Sequence, residues 1–194
     1  MQLEPGFIYA IAGENGAGKS TLFHLILSNE CVYSGEMKLG EIDLASDRVK
    51  ALNHIAFISE DIRPLPAASN IGQARIMGSL YDDFDEELFV ATMKKMGLST
   101  GKTYANQSRG EKIKYQIAFG VACHAKLFLM DEATAGMDPV FRIDFFNMLR
   151  ELLIQEDCCI LMTSHNMTEI CKQTDYVAIM QDGELGEFQE SIDF

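Results

Sequence analysis

The residues Gly13-Glu14-Asn15-Gly16-Ala17-Gly18-Lys19-Ser20 follow the spacing G-x-x-x-x-G-K-[ST]. Each residue type in that pattern answers a need of a bound polyphosphate. Glycines allow backbone conformations that side chains bar, so successive N–H groups can turn inward onto one phosphate. A helix opening at Lys19 adds unpaired N–H groups and a positive partial charge. Lys19 can reach the outer phosphates, and Ser20 offers the hard hydroxyl oxygen that Mg2+ accepts. The plainer reading is a glycine turn followed by a surface lysine. It does not require a strand before the loop and a helix after it, and both are indicated here.

A second constellation is Leu127-Phe128-Leu129-Met130-Asp131-Glu132, an apolar run ending in two acids. Taken alone, two acids after a strand describe a helix cap or an exposed turn. Beside a phosphate-binding loop they suit phosphoryl chemistry: Asp131 holding a water on Mg2+, and Glu132 facing the attacking water as general base.

These groups need a scaffold that brings distant parts of the chain together. Phe7 to Ala12 is a short apolar run ending at Gly13, the pattern of a strand buried on both faces. Lys19 to Leu27 carries Leu22, Phe23, Leu25 and Ile26 at helical spacing. Apolar runs return at Ile55 to Ile58, Leu127 to Met130, Cys159 to Met162 and Val177 to Met180, with helical segments between most of them. That alternation predicts an α/β fold with a mainly parallel sheet. Asp138-Pro139 supplies an N-cap and a first-turn proline before the stripe Phe141, Phe145, Met148, Leu149 and Leu152. Asp182-Gly183 predicts a hairpin. Residues from about 69 to 110 read as a helical insert into a core of about 1–68 and 111–194, with one helix from Asp85 to Met96 ended by Gly97. The acidic run Asp82, Asp83, Asp85, Glu86 and Glu87 reads as a solvated helix start.

Composition bounds the rest. With 194 residues and 47% hydrophobic content, the chain suits one α/β domain with a substantial core. Sixteen basic against 29 acidic residues give a net charge of −13, which repels polyanions and disfavours nucleic acid as a partner. Cys31, Cys123, Cys158, Cys159 and Cys171 form no CxxC pair and read as reduced core residues of a cytosolic protein. No stretch approaches the roughly 18 apolar residues of a membrane span, and the basic-then-apolar layout of a signal peptide is absent from residues 1–30.

The series resembles the nucleotide-binding subunits of ATP-binding cassette (ABC) transporters, over nearly the whole sequence and with the P-loop NTPase fold that this implies. The discriminating piece is Gln107-Ser108-Arg109-Gly110-Glu111, shortly before the acidic strand, where the family carries its LSGGQ signature. Ser108 and Gly110 match that signature; Gln107, Arg109 and Glu111 depart from it. Ser108-x-x-Glu111 is also a capping box for a helix bearing Ile113, Ile117 and Val121. Ala135-Gly136-Met137-Asp138 resembles the loop that follows the acidic strand, and Ser164-His165 resembles the family's switch histidine.

The resemblance implies ATP and Mg2+ as ligands. Phosphates go to Gly13, Glu14, Asn15, Gly16, Ala17, Gly18, Lys19, Ser20 and Thr21, and in a second copy to Ser108 and Gly110. The metal goes to Ser20 and Asp131, and to Glu60, which stands where the family has a glutamine. Catalysis falls to Glu132, His165 and Lys19. The partners implied are a second nucleotide-binding subunit, identical or not, packed head to tail, and an integral membrane permease, with this subunit cytoplasmic and peripheral on the cytoplasmic face of the cell membrane. Glu60, Arg109 and Leu80 to Asp85 are similar to a bacterial group of exporters. Only twelve residues precede Gly13, where the family has further strands and the aromatic residue that stacks on adenine; Tyr9 reads as core. The competing classes are a soluble ABC ATPase, of which an iron–sulfur assembly subunit fits best, and a nucleotide-binding pseudoenzyme.

Overall fold

The computed structural model describes residues 1–28, 33–62, 65 and 67–193, with Glu169 and Asp193 described by backbone alone. Along the chain run β1 (Ile8–Ala12), α1 (Lys19–Leu27), β2 (Lys38–Leu39), β3 (Ile42–Asp43), α2 (Arg48–Leu52), β4 (Ile55–Ser59), α3 (Asn70–Gly78) and α4 (Glu86–Lys95). They are followed by α5 (Arg109–Ala122), β5 (Leu127–Asp131), α6 (Pro139–Gln155), β6 (Cys159–Ser164), α7 (Met167–Gln173), β7 (Tyr176–Gln181), β8 (Glu184–Leu185) and β9 (Gln189–Glu190).

All five residues of β1 are buried, because the strand lies mid-sheet with helices on both faces. The order β4-β5-β6-β1-β7 is parallel throughout, and β8 and β9 add antiparallel pairs to β7. Strand alternation sorts the side chains into two layers. Ile8, Ala10 and Ala12 join Ile117 of α5 and Phe145 and Leu149 of α6 in one apolar cluster. Tyr9 and Ile11 join Phe23 and Ile26 of α1 in the other. A fully buried ring such as Phe145, 1% exposed, is worth roughly 3–5 kcal/mol against alanine.

The predicted strands and the α6 helix are present. Asp138 accepts from the N–H groups of Val140 (2.9 Å) and Phe141 (3.4 Å) with Pro139 next in line. The Asp182-Gly183 hairpin joins β7 to β8, with φ of 52° at Asp182 and 84° at Gly183, the left-handed pair that a two-residue turn requires. The small β2–β3 ladder and β9 lie in segments too short and too polar to give a period.

Residues 70–95 hold α3 as well as the anticipated α4. Ser69 caps α3 by accepting from the N–H of Gly72, and Asp85 caps α4 by accepting from that of Leu88. These helices share a third cluster, Ala74, Phe89 and Met93, with Tyr115 and Ala118 of α5. The acidic run is engaged locally: Asp85 caps α4, Glu86 pairs with Arg75, and Asp82 accepts from Asn53.

Cys123, Cys158 and Cys159 are buried free thiols and Cys171 is half-buried, whereas Cys31 lies outside the described residues. Burial pushes Cys123 and Cys158 up to about 12 and Cys159 to about 11. The folded thiols therefore stay protonated while their unfolded counterparts ionise from about pH 8.5 upward, and this contribution to stability is lost as pH rises from there through the folded values. Denaturant titrations at pH 7.5 and pH 10 should show a lower midpoint at pH 10. Substituting Cys123 and Cys158 with alanine should shrink the difference.

Candidate functional site

The parallel register brings the predicted residues to one edge of the sheet. Ser59 pairs with Asp131, Met130 with Met162 and Ala12 with Ser164, so Glu60, Glu132, His165 and Gly13 all begin the loops at the carboxyl ends of their strands. That edge is where open α/β sheets bind ligands.

Gly16 (φ 87°) and Gly18 (φ 112°) take left-handed backbone, and Gly18 is the N-cap of α1. A Cβ on Gly13 would stand 2.4 Å from the carbonyl oxygen of Met180, so β7 leaves no space for a side chain there. The hairpin after β7 braces the loop from the same side, with the N–H of Gly183 donating to the carbonyl of Ala17 at 2.9 Å. Glu14, Asn15, Gly16 and Ala17 form one wall of an open cleft whose other wall is Ile179 to Asp182. Thr21 follows on α1, exposed.

Lys19 is only 7% exposed. Its ammonium donates to the carbonyls of Gly13 (2.7 Å) and Glu14 (3.1 Å) and lies 3.5 Å from the carboxylate of Glu132. A buried cation needs such partners, since desolvation costs far more than a surface charge would. The other oxygen of Glu132 lies 2.9 Å from Nδ1 of His165. Lysine, glutamate and histidine thus form one chain across β1, β5 and β6.

The second knot is oxygen-rich. Ser20 donates to Oδ2 of Asp131 at 3.0 Å, and Thr163 donates to Oδ1 of the same carboxylate at 2.6 Å. A hydroxyl beside a carboxylate is a hard donor set of the kind Mg2+ takes, so the residues present fit that ion. Thr163 is fully buried and also accepts from the N–H of Glu132 at 3.0 Å. Glu132 has φ of 48°, a backbone state that costs a non-glycine residue on the order of 1 kcal/mol. The Thr163 bond holds it there. The sequence reading passed over Thr163, although its position two residues before His165 at the end of a buried strand was a usable sign.

Ser108 and Gly110 stand at the start of α5. The capping box forms in full: the N–H of Ser108 donates to Glu111 at 2.7 Å and that of Glu111 to the Ser108 hydroxyl at 3.3 Å. Lys102 beside Glu111 holds its carboxyl below the usual range. Gly110 lies against Phe141, where a Cβ would meet the ring at 2.5 Å. The carboxylate of Glu60 is ion-paired with Arg109, the first residue of α5. Tyr9 stacks on Tyr176 at 5.1 Å and meets Phe188 edge-on at 5.3 Å, inside the core.

The model of the ABC transporter family matches residues 1–135. The methionine import ATP-binding protein MetN of Photobacterium profundum is 30% identical over 96% of this chain and 57% of its own length. An ABC transporter ATP-binding protein of Bacillus subtilis, YdbJ, is 26% identical over 95% of this chain and 61% of its own. The chain thus spans little more than half the length of these relatives. Among solved structures, cbiO1 of Clostridium perfringens, part of the ABC transporter complex cbiONQ, superposes with a TM-score of 0.84 at 24% identity, covering 100% of this chain and 80% of that one. A structure described as the ATP binding subunit of an ABC transporter gives 0.84 at 21% identity, covering 100% and 82%. The fold is therefore that of ABC ATPase domains, a P-loop NTPase sheet with helices on both faces. With more than two thirds of its residues matched by the family model, this chain belongs to the ABC transporter family, among relatives that are its ATP-binding subunits.

Proposed function

We propose that the chain binds and hydrolyses ATP with Mg2+ and supplies the energy of a transporter whose channel is a separate integral membrane protein. The observation that carries this reading is the junction of Lys19, Glu132 and His165 with the Ser20–Asp131–Thr163 knot at one sheet edge. Magnesium, when bound, neutralises phosphate charge and stabilises the transferring group. Asp131 and Ser20 supply the oxygens that face it. Lys19 turns from its carbonyl partners and from Glu132 toward the outer phosphates, which frees the Glu132 carboxylate to accept a proton from water. His165 orients that carboxylate, and Thr163 fixes the backbone beneath it. Preorganised charge of this kind is usually the largest single source of phosphoryl-transfer catalysis.

Ser108 and Gly110 are assigned to the nucleotide of a second subunit, identical or related, packed head to tail. Support comes from a capped helix start, whose free N–H groups favour an anion. The membrane partner is assigned to the apolar groove of about 390 Å3 between insert and core, lined by Leu27, Phe57, Met77, Tyr81 and Phe119. Among the described residues no helix is long and apolar enough to cross a membrane, and the relatives are named for transport. This reading puts the subunit on the cytoplasmic face. Export is the direction proposed, on the similarity of Glu60, Arg109 and the stretch Leu80 to Asp85 to a bacterial group of exporters. Import is the second reading, favoured by relatives named for methionine and ribose import. Accumulation of substrate in inverted or right-side-out vesicles distinguishes the two.

Lys19→Ala should abolish ATP binding, whereas Glu132→Gln should keep it and lose turnover; ordinary turnover in both would overturn the assignment. Ser108→Arg should leave ATP binding to the monomer intact and block ATP-induced dimerisation, read by light scattering with Mg-ATP. Thr163→Val keeps the shape but strands the Glu132 amide, a loss of about 1–3 kcal/mol. Turnover should fall about tenfold or more, and Thr163→Ser should restore most of it.

A further inference from the structure

Glu60 and Arg109 are both departures from the family pattern, and the structure joins them to each other. Arg109 is the first residue of α5, where a cation meets the positive end of the helix and is disfavoured. Glu60 begins the loop after β4, in register with the Asp131-Glu132 edge, where a third carboxylate adds repulsion. Each charge is misplaced alone, and each offsets the other.

Two further contacts give the pair a direction. Gln116, about two turns along α5 from Arg109, grips the backbone of Ser59 from both sides: its Oε1 accepts from the Ser59 N–H at 2.9 Å, and its Nε2 donates to the Ser59 carbonyl at 3.0 Å. The same amide donates to the hydroxyl of Tyr104 at 3.1 Å. On the other side, the Arg109 guanidinium packs over Gly136, where a Cβ would come 2.6 Å from Nη1. Gly136 has φ of 65° and lies in the turn that leads from Glu132 to α6.

We propose that Arg109 is a positioning residue and Glu60 its counterion: the pair is a charged strut that fixes the start of α5 to the loop after β4 and to the turn at Gly136. It rests on the ATPase reading above and adds the means by which the Ser108–Gly110 segment is held in step with Glu132. Glu60 then acts through Arg109 and not as a ligand of Mg2+. At 39% and 40% exposure the two side chains are partly screened by water, so their effect on stability is small and their effect on orientation is the larger one. The planar fork of arginine suits both contacts, the carboxylate and the flat glycine surface, in a way lysine matches only in charge.

The test is a double-mutant cycle of Glu60→Gln and Arg109→Gln in the whole chain. In denaturant unfolding without nucleotide, the two changes should be non-additive by at least threefold in the unfolding constant, with Arg109→Lys intermediate. In Mg-ATP turnover each single variant should lose at least tenfold in kcat with KM nearly unchanged, and the double variant should be no slower than the singles. The half-saturating Mg2+ concentration should be the same in both singles. Additive unfolding effects would overturn the strut, and so would a rise in the Mg2+ requirement confined to Glu60→Gln. Failure of the wild-type chain to bind Mg-ATP would sink the ATPase reading instead, while the unfolding cycle would still decide whether the pair exists.

Discussion

Parallel register is the constraint on which the rest depends. Four neighbouring strands end within a residue of one another, so groups separated by up to 152 positions, Gly13 and His165 among them, begin their loops along one edge. A slip of one residue in β5 would turn Asp131 to the opposite face and exchange the places of the two acids. The buried apolar residues that hold the register, Met130 and Met162 in one layer and Leu129 and Leu161 in the other, do as much for the chemistry as the polar groups themselves.

The edge collects charge that has no business being buried unpaired, and the chain handles it by sharing. Lys19 is satisfied by two carbonyls and a carboxylate, Asp131 by two hydroxyls, Glu132 by a lysine and a histidine. Several of these groups, Lys19, Ser20, Asp131 and Glu132, are the ones proposed above to act on a triphosphate and its metal.

Much of this was legible in residue order. The glycine loop, the acidic strand end, the α6 cap and the Asp182-Gly183 turn each carry a local rule that needs no tertiary knowledge, and each formed as its rule requires. What was not legible depended on partners distant in sequence. Thr163 looks like any buried strand threonine until Asp131 and the Glu132 amide stand beside it. Glu60 stands among the metal ligands that the resemblance implies, and nothing in residue order shows the Arg109 that the start of α5 brings against it. The helix α3 hid because its buried polar residues, Asn70 and Gln73, break the apolar period by which helices are recognised.

The brace from Gly183 to Ala17 bears on how the polypeptide acquires its shape during synthesis. β1 emerges from the ribosome 147 residues ahead of the first residue of β6, measured from Ala12 to Cys159, and among the described residues it pairs with nothing closer in sequence than that strand and β7. Its apolar run has no strand to pair with until these neighbours are translated, because loop closure over such a span precedes any reward from pairing. The glycine loop, made before the strands that flank β1, thus takes its place only after β6 and β7 have been made.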